Sequence, residues 1–186
     1  MFKHSLRAAL PLAAALAILG TSTYAAAAPA QRQILIRDEC DPKTFNQPPP
    51  AGVGPGTCSR NGGVPFQHFI SQLTALQRVP EWHFVPGEVQ VNPDEPFIAT
   101  NAGGELHSFT EVAQFGGGVV PVLNQLSGSG PTRPECATAF AAFLAGAPNS
   151  SFLPPGQSFA DADDEPGPHL YQCCIHPWMH EVVTVR

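Results

Sequence analysis

Beyond Trp82 the chain has no room for long regular elements, because proline and glycine cut it into short runs. Trp82-His-Phe84, Glu88-Val-Gln-Val91, Pro96 to Asn101 and Leu106 to Thr110 are separated by Pro86-Gly87, Asn92-Pro-Asp94 and Ala102-Gly-Gly104. Runs rich in β-branched and aromatic residues, alternating in polarity and bounded by turn residues, predict antiparallel strands packed as a β-sandwich. Gly116-Gly-Gly118 opens a long excursion, in which Cys136 to Ala145 followed by Gly146 predicts a short helix. Strands resume at Ser151 to Leu153, Ser158 to Ala160, His169 to Cys173 and Glu181 to Val185, after an acidic loop from Asp161 to Pro168. The fold class expected is all-β, with one or two short helices in an N-terminal extension and an insertion.

The first 81 residues read differently. Lys3 and Arg7 precede an apolar stretch from Ala8 to Leu19 and small residues at Ala25 to Ala30. This is the pattern of a cleaved secretory signal, too short and too broken by Pro11 to span a bilayer. Gln33 to Arg37 is a β-prone run, and Asp41 to Gly63 a Pro/Gly-rich loop. Phe66, Phe69, Ile70, Leu73 and Leu76 recur at helical spacing, which predicts a helix from Pro65 to about Gln77. The division expected is a signal peptide over 1–30, an extension over 31–81 and the sandwich over 82–186. With 186 residues and 43% apolar content, one core is the expectation. Loss of Lys3 and Arg7 takes the net charge from −6 to −8. That balance disfavours nucleic acid and anionic membranes. The signal, with no later apolar run long enough to span a bilayer, predicts a soluble, extracytoplasmic protein, periplasmic or secreted, and a monomer is expected.

Five cysteines in an exported chain leave one unpaired. If one of them binds metal, the other four can pair in three ways. Proximity favours Cys40 with Cys58, a loop whose closure stabilises by about 3 kcal/mol. Cys136 with Cys174 would follow by elimination, although spacing alone leaves the connectivity open.

The segment Tyr171-Gln-Cys-Cys-Ile-His-Pro-Trp-Met179 gathers the donor chemistry. Cys173, His176 and Met179 stand at C-x-x-H-x-x-M spacing, and a trigonal His₂Cys set with a weak axial Met is a copper preference. His107, in a β-rich run after the Ala102-Gly-Gly104 turn, is the candidate second histidine. Cys173 is preferred over Cys174 because Cys174 leaves one residue before His176. Met179 and His107 taken singly could be ordinary core and strand residues. His68 reads as a helix-surface residue, and His83, His169 and His180 fall outside the ligand pattern.

These motifs resemble those of the cupredoxins, the type 1 blue copper proteins, with a ligand loop similar to the amicyanin and plastocyanin kind. Asn101 followed by His107 resembles the turn into the first histidine ligand, and Tyr171-x-Cys173-x-x-His176-Pro-x-Met179 the second ligand segment. The resemblance covers about Trp82 to Arg186. It implies a Greek-key sandwich and one copper ion held by His107, Cys173, His176 and Met179. It also implies a one-electron carrier whose redox protein partners dock near His176 and Trp178, with His176 close to the surface. Ser108 and Ile175 depart from the usual pattern beside the ligands. No His-x-His pair or Ser/His/Asp arrangement points to an enzyme. A copper-binding or delivery protein without redox shuttling is the alternative.

Overall fold

In a computed structural model, residues 32–163 and 165–186 are described; the signal segment lies outside them. Two four-stranded sheets carry the fold. The first has the order β2-β1-β4-β8, from His83–Val85, Arg32–Arg37, Phe97–Asn101 and Ser158–Asp161. The second has the order β3-β10-β9-β6, from Glu88–Val91, His180–Val185, Gly167–Gln172 and Thr110–Glu111. A short pair, β5 (His107–Ser108) with β7 (Phe152–Leu153), stands apart from both.

Alternation along the strands explains why the sheets meet. Ile34 and Ile36 of β1, Phe97 and Ala99 of β4, Val89 and Val91 of β3, and Val183 and Val185 of β10 are all buried in one cluster. Successive strand residues point to opposite faces, so each strand contributes one apolar row to that shared interior. Aromatic rings join the two sheets: Phe97 lies edge-on to Tyr171 at 5.7 Å, and Phe109 stacks on Tyr171 at 4.5 Å.

The sandwich differs from the expectation in two respects. It is not wholly antiparallel, since β1 pairs parallel with β4 and β3 parallel with β10. Nor does it begin at Trp82. β1 lies between β2 and β4 and pairs with both, so the start of the supposed extension is an inner strand of the first sheet. The irregular segment after β1 hides this continuity, because a parallel partner leaves no hairpin signal in the sequence.

Helices form at both expected places, α2 (Phe66–Leu76) and α4 (Pro134–Leu144). Two more were not foreseen. Asp41 caps α1 (Pro42–Phe45) by accepting from the Lys43 N–H at 3.0 Å. Pro121 opens α3 (Pro121–Ser127), and Gly128 ends it in the left-handed region at φ 69°. Among the described residues no helix is long and apolar enough to cross a membrane.

Cys40 pairs with Cys58 and Cys136 with Cys174, at Cα separations of 6.1 and 5.3 Å. Cys173 is left as a buried free thiol. The second bridge fastens α4 to the segment that carries Cys173. Replacing Cys136 and Cys174 together by alanine is expected to lower stability by about 2–5 kcal/mol, read from urea unfolding of the metal-free protein. An unchanged midpoint would show that the insertion is held by packing alone.

Candidate metal centre

Two chain segments converge on Cys173. The first runs from β4 through a tight turn into β5. The Asn101 side chain holds that turn: its Nδ2 donates to the carbonyls of Glu105 and Leu153 at 2.8 and 2.7 Å, and its Oδ1 accepts from the Gly103 N–H at 2.9 Å. Glycine is required here by close approach, since a Cβ at Gly103 would collide with the Asp38 carboxylate and one at Gly104 would press on Cys40 Sγ. His107 emerges from this turn fully buried.

The second segment is the loop between β9 and β10. It closes on itself, with the Cys173 N–H donating to the Met179 carbonyl at 3.1 Å and the Met179 N–H to the His176 carbonyl at 3.0 Å. Ser108 joins the two segments. Its hydroxyl accepts from the Cys174 N–H at 2.7 Å, while its own N–H points at Cys173 Sγ at 3.4 Å. The His176 N–H also points at that sulfur, at 3.4 Å.

Cys173 Sγ lies 3.6 Å from Nδ1 of His107 and 3.7 Å from Nδ1 of His176. The three donor atoms fall within 4.8 Å of one another, and all three residues are buried. Burial pushes the Cys173 thiol up, but hydrogen bonds and charge from His107 and His176 outweigh it and hold the thiol well below its ordinary range. A thiolate facing two imidazole nitrogens in a dry site is a donor set suited to a soft or borderline metal ion. Met179 is buried in the same cluster as Cys173.

Two residues of this site went unnoticed in the sequence. Asp38, at the end of β1, lies 2.9 Å from His107 Nε2 with both side chains fully buried. Its Oδ2 also accepts from the Gly104 and Glu105 N–H groups at 2.7 and 3.0 Å, and its Oδ1 from the Cys40 N–H at 3.2 Å. Burial alone raises this carboxyl, yet His107 and the backbone donors bring it down to about 2. For His107, burial works downward, but Asp38 and Cys173 raise it to about 10. Because Nε2 faces the carboxylate, Nδ1 is the nitrogen turned toward Cys173. The only signal for Asp38 was an acid directly after a β-prone run, too weak to single it out.

Glu105 is the other. Its Oε2 accepts from the Trp82 indole N–H at 2.6 Å and stands 3.6 Å from His176 Nε2. Burial raises this carboxyl, opposed first by the charge of His176.

His176 is not near the surface, as the resemblance implies. It is 3% exposed, because the rings of Phe69, Trp82 and Trp178 lie 6.3, 6.5 and 5.5 Å from its own. Phe69 comes from α2, a helix that precedes the matched part of the chain. Two histidines outside the ligand pattern have partners elsewhere: His169 Nδ1 pairs with Glu111 at 2.9 Å, and His180 stacks on Phe115 at 3.8 Å. Glu111, Asp163 and His169 also bring three donors together, but on the surface and paired with one another.

Fold and site together define a two-sheet β-sandwich with a buried His/Cys/His cluster able to hold a metal ion. Solved structures similar to it include cupredoxins. A purple cupredoxin from Nitrosopumilus maritimus matches with 15% identity and a TM-score of 0.43, over 84% of this chain and 100% of that one. Plastocyanin from Dryopteris crassirhizoma matches at 16% and 0.38, over 83% and 99%. Amicyanin from Paracoccus versutus matches at 18% and 0.35, over 58% and 76%. No protein-family model and no curated protein matches the chain.

Asp38→Ala strands a buried imidazolium and three backbone donors, and is expected to lower the stability of the metal-free protein by about 3–5 kcal/mol. Urea unfolding checks this. A loss under about 1 kcal/mol would mean that the pair is no stronger than an exposed one.

Proposed function

We propose that this protein is an exported type 1 copper protein acting as a one-electron carrier. His107, Cys173 and His176 would hold the ion, with Met179 as a further, weaker donor. The observation that supports this most is the sulfur of Cys173 facing both Nδ1 atoms in a buried, preformed cluster. Copper held there would supply a one-electron couple between Cu(II) and Cu(I).

The chain's own residues account for the rest. Asp38 holds the His107 ring by Nε2, so its Nδ1 is kept aimed at the site. Backbone N–H groups of Ser108 and His176 hold the sulfur in place. Phe69, Trp82 and Trp178 exclude water from His176. A donor cluster built before the ion arrives has little to rearrange, which suits repeated exchange of one electron better than catalysis on a substrate. Two disulfides fit an oxidising compartment and hence export. Redox partners dock at the face carrying Trp178, whose half-buried ring is the nearest of the three to His176.

Loading the purified protein with Cu(II) is expected to give an intense blue band from thiolate-to-copper charge transfer. Cys173→Ser should abolish it, whereas Cys174→Ser should keep it. A colourless complex, or a blue Cys173→Ser variant, would overturn the assignment. Asp38→Asn should lower copper affinity roughly 10- to 100-fold, read by competition with a chelator.

Trp178→Ala should slow electron exchange with a redox partner and leave the band nearly unchanged. Equal rates would place docking on another face.

A further inference from the structure

Beside the metal centre lies a cleft of about 890 Å³. Helix α2 contributes Phe66, Phe69 and Ile70 to it, α3 contributes Val122 and Leu123, and the turn between β7 and β8 contributes Pro154 and Pro155. His176 and Glu105 also line it, and they are 3% and 6% exposed, so the cleft reaches down to the imidazole edge.

The chemistry of this lining is restrictive. Among the described residues that line it, Glu105 is the single charged side chain, and its Oε2 already takes the Trp82 indole N–H at 2.6 Å. Among the described residues no Lys or Arg lines it to compensate an anion. An ion entering the cleft would lose its hydration with no counter-charge free to replace it. Phenylalanine rings and proline faces favour a flat apolar body packed against them. The volume lies within the range of about 300–1,000 Å³ typical of sites for small organic molecules. We therefore infer that the cleft is a binding site for an uncharged, aromatic small molecule, seated against His176. The assignment rests on the cleft's own side chains and stands whether or not the protein binds copper.

Two fluorescent probes that share a ring scaffold test it, the neutral N-phenyl-1-naphthylamine and its sulfonated, anionic counterpart 1-anilino-8-naphthalenesulfonate. The neutral probe is expected to bind the monomeric protein saturably at one site, at least about tenfold more tightly than the anionic one. Val122→Asp and Val53→Asp place charge on the cleft at positions 55% and 49% exposed, where folding tolerates it. Each should weaken the neutral probe about tenfold or more. Leu144→Asp, at a 69% exposed position outside the cleft, should leave binding unchanged. Non-saturable binding, equal affinity for both probes, or equal loss in all three variants would overturn the assignment. So would a wild-type dimer, by sedimentation, that Val122→Asp converts to a monomer without gain in probe binding, because the cleft would then be a self-association face. A blue copper protein that fails to bind the neutral probe refutes the cleft alone, and a colourless one that binds it refutes the copper reading alone.

Discussion

The pair Asp38 and His107 sets the geometry on which the centre depends. A carboxylate buried without a partner is costly, and so is a buried imidazolium. Placed 2.9 Å apart they relieve each other, and the same carboxylate accepts three backbone N–H groups. The His107 ring has two edges, and the one given to Asp38 leaves the other for Cys173. One ion pair thereby selects the ring orientation, shapes the turn from Asn101 to His107 and anchors the end of β1. The glycines at 103 and 104 belong to the same arrangement, since a side chain at either would displace the carboxylate or the neighbouring disulfide.

This gives the N-terminal region a part in the site. β1 supplies Asp38, α2 supplies Phe69, and the segment before β2 supplies Trp82, whose ring stacks on Phe45 at 5.8 Å and whose N–H holds Glu105. The centre is thus enclosed on one side by residues that precede the matched ligand segments. On the proposed reading, the enclosure protects the His176 ligand from water and turns its remaining access toward an apolar cleft. Electron exchange would then be governed by what can approach through Trp178 or enter that cleft.

Much of this was legible in the sequence where the signal is local. Strands such as Glu88–Val91 announce themselves by alternation and flanking turns, and α2 by helical spacing after Pro65. The spacing of Cys173 and His176 brought them to notice because donor side chains of one loop lie close along the chain. What was missed is non-local. A parallel pairing of β1 with β4 joins strands far apart in sequence, and Asp38 meets His107 across 69 residues with no motif to mark it. Burial of His176 likewise depends on α2 packing back over the loop between β9 and β10, which a loop motif does not encode. Ser108, noted only as a departure, proves to be the bridge between the two segments.

The central claim is that a single copper ion binds through one sulfur and two imidazoles at this cluster. X-ray absorption spectroscopy at the copper edge, on the wild-type protein loaded with one equivalent of Cu(II), tests it most directly. The account predicts a short copper–sulfur bond together with two nitrogen neighbours showing imidazole scattering. A shell of nitrogen and oxygen alone would contradict it, since the ion would then be bound without Cys173.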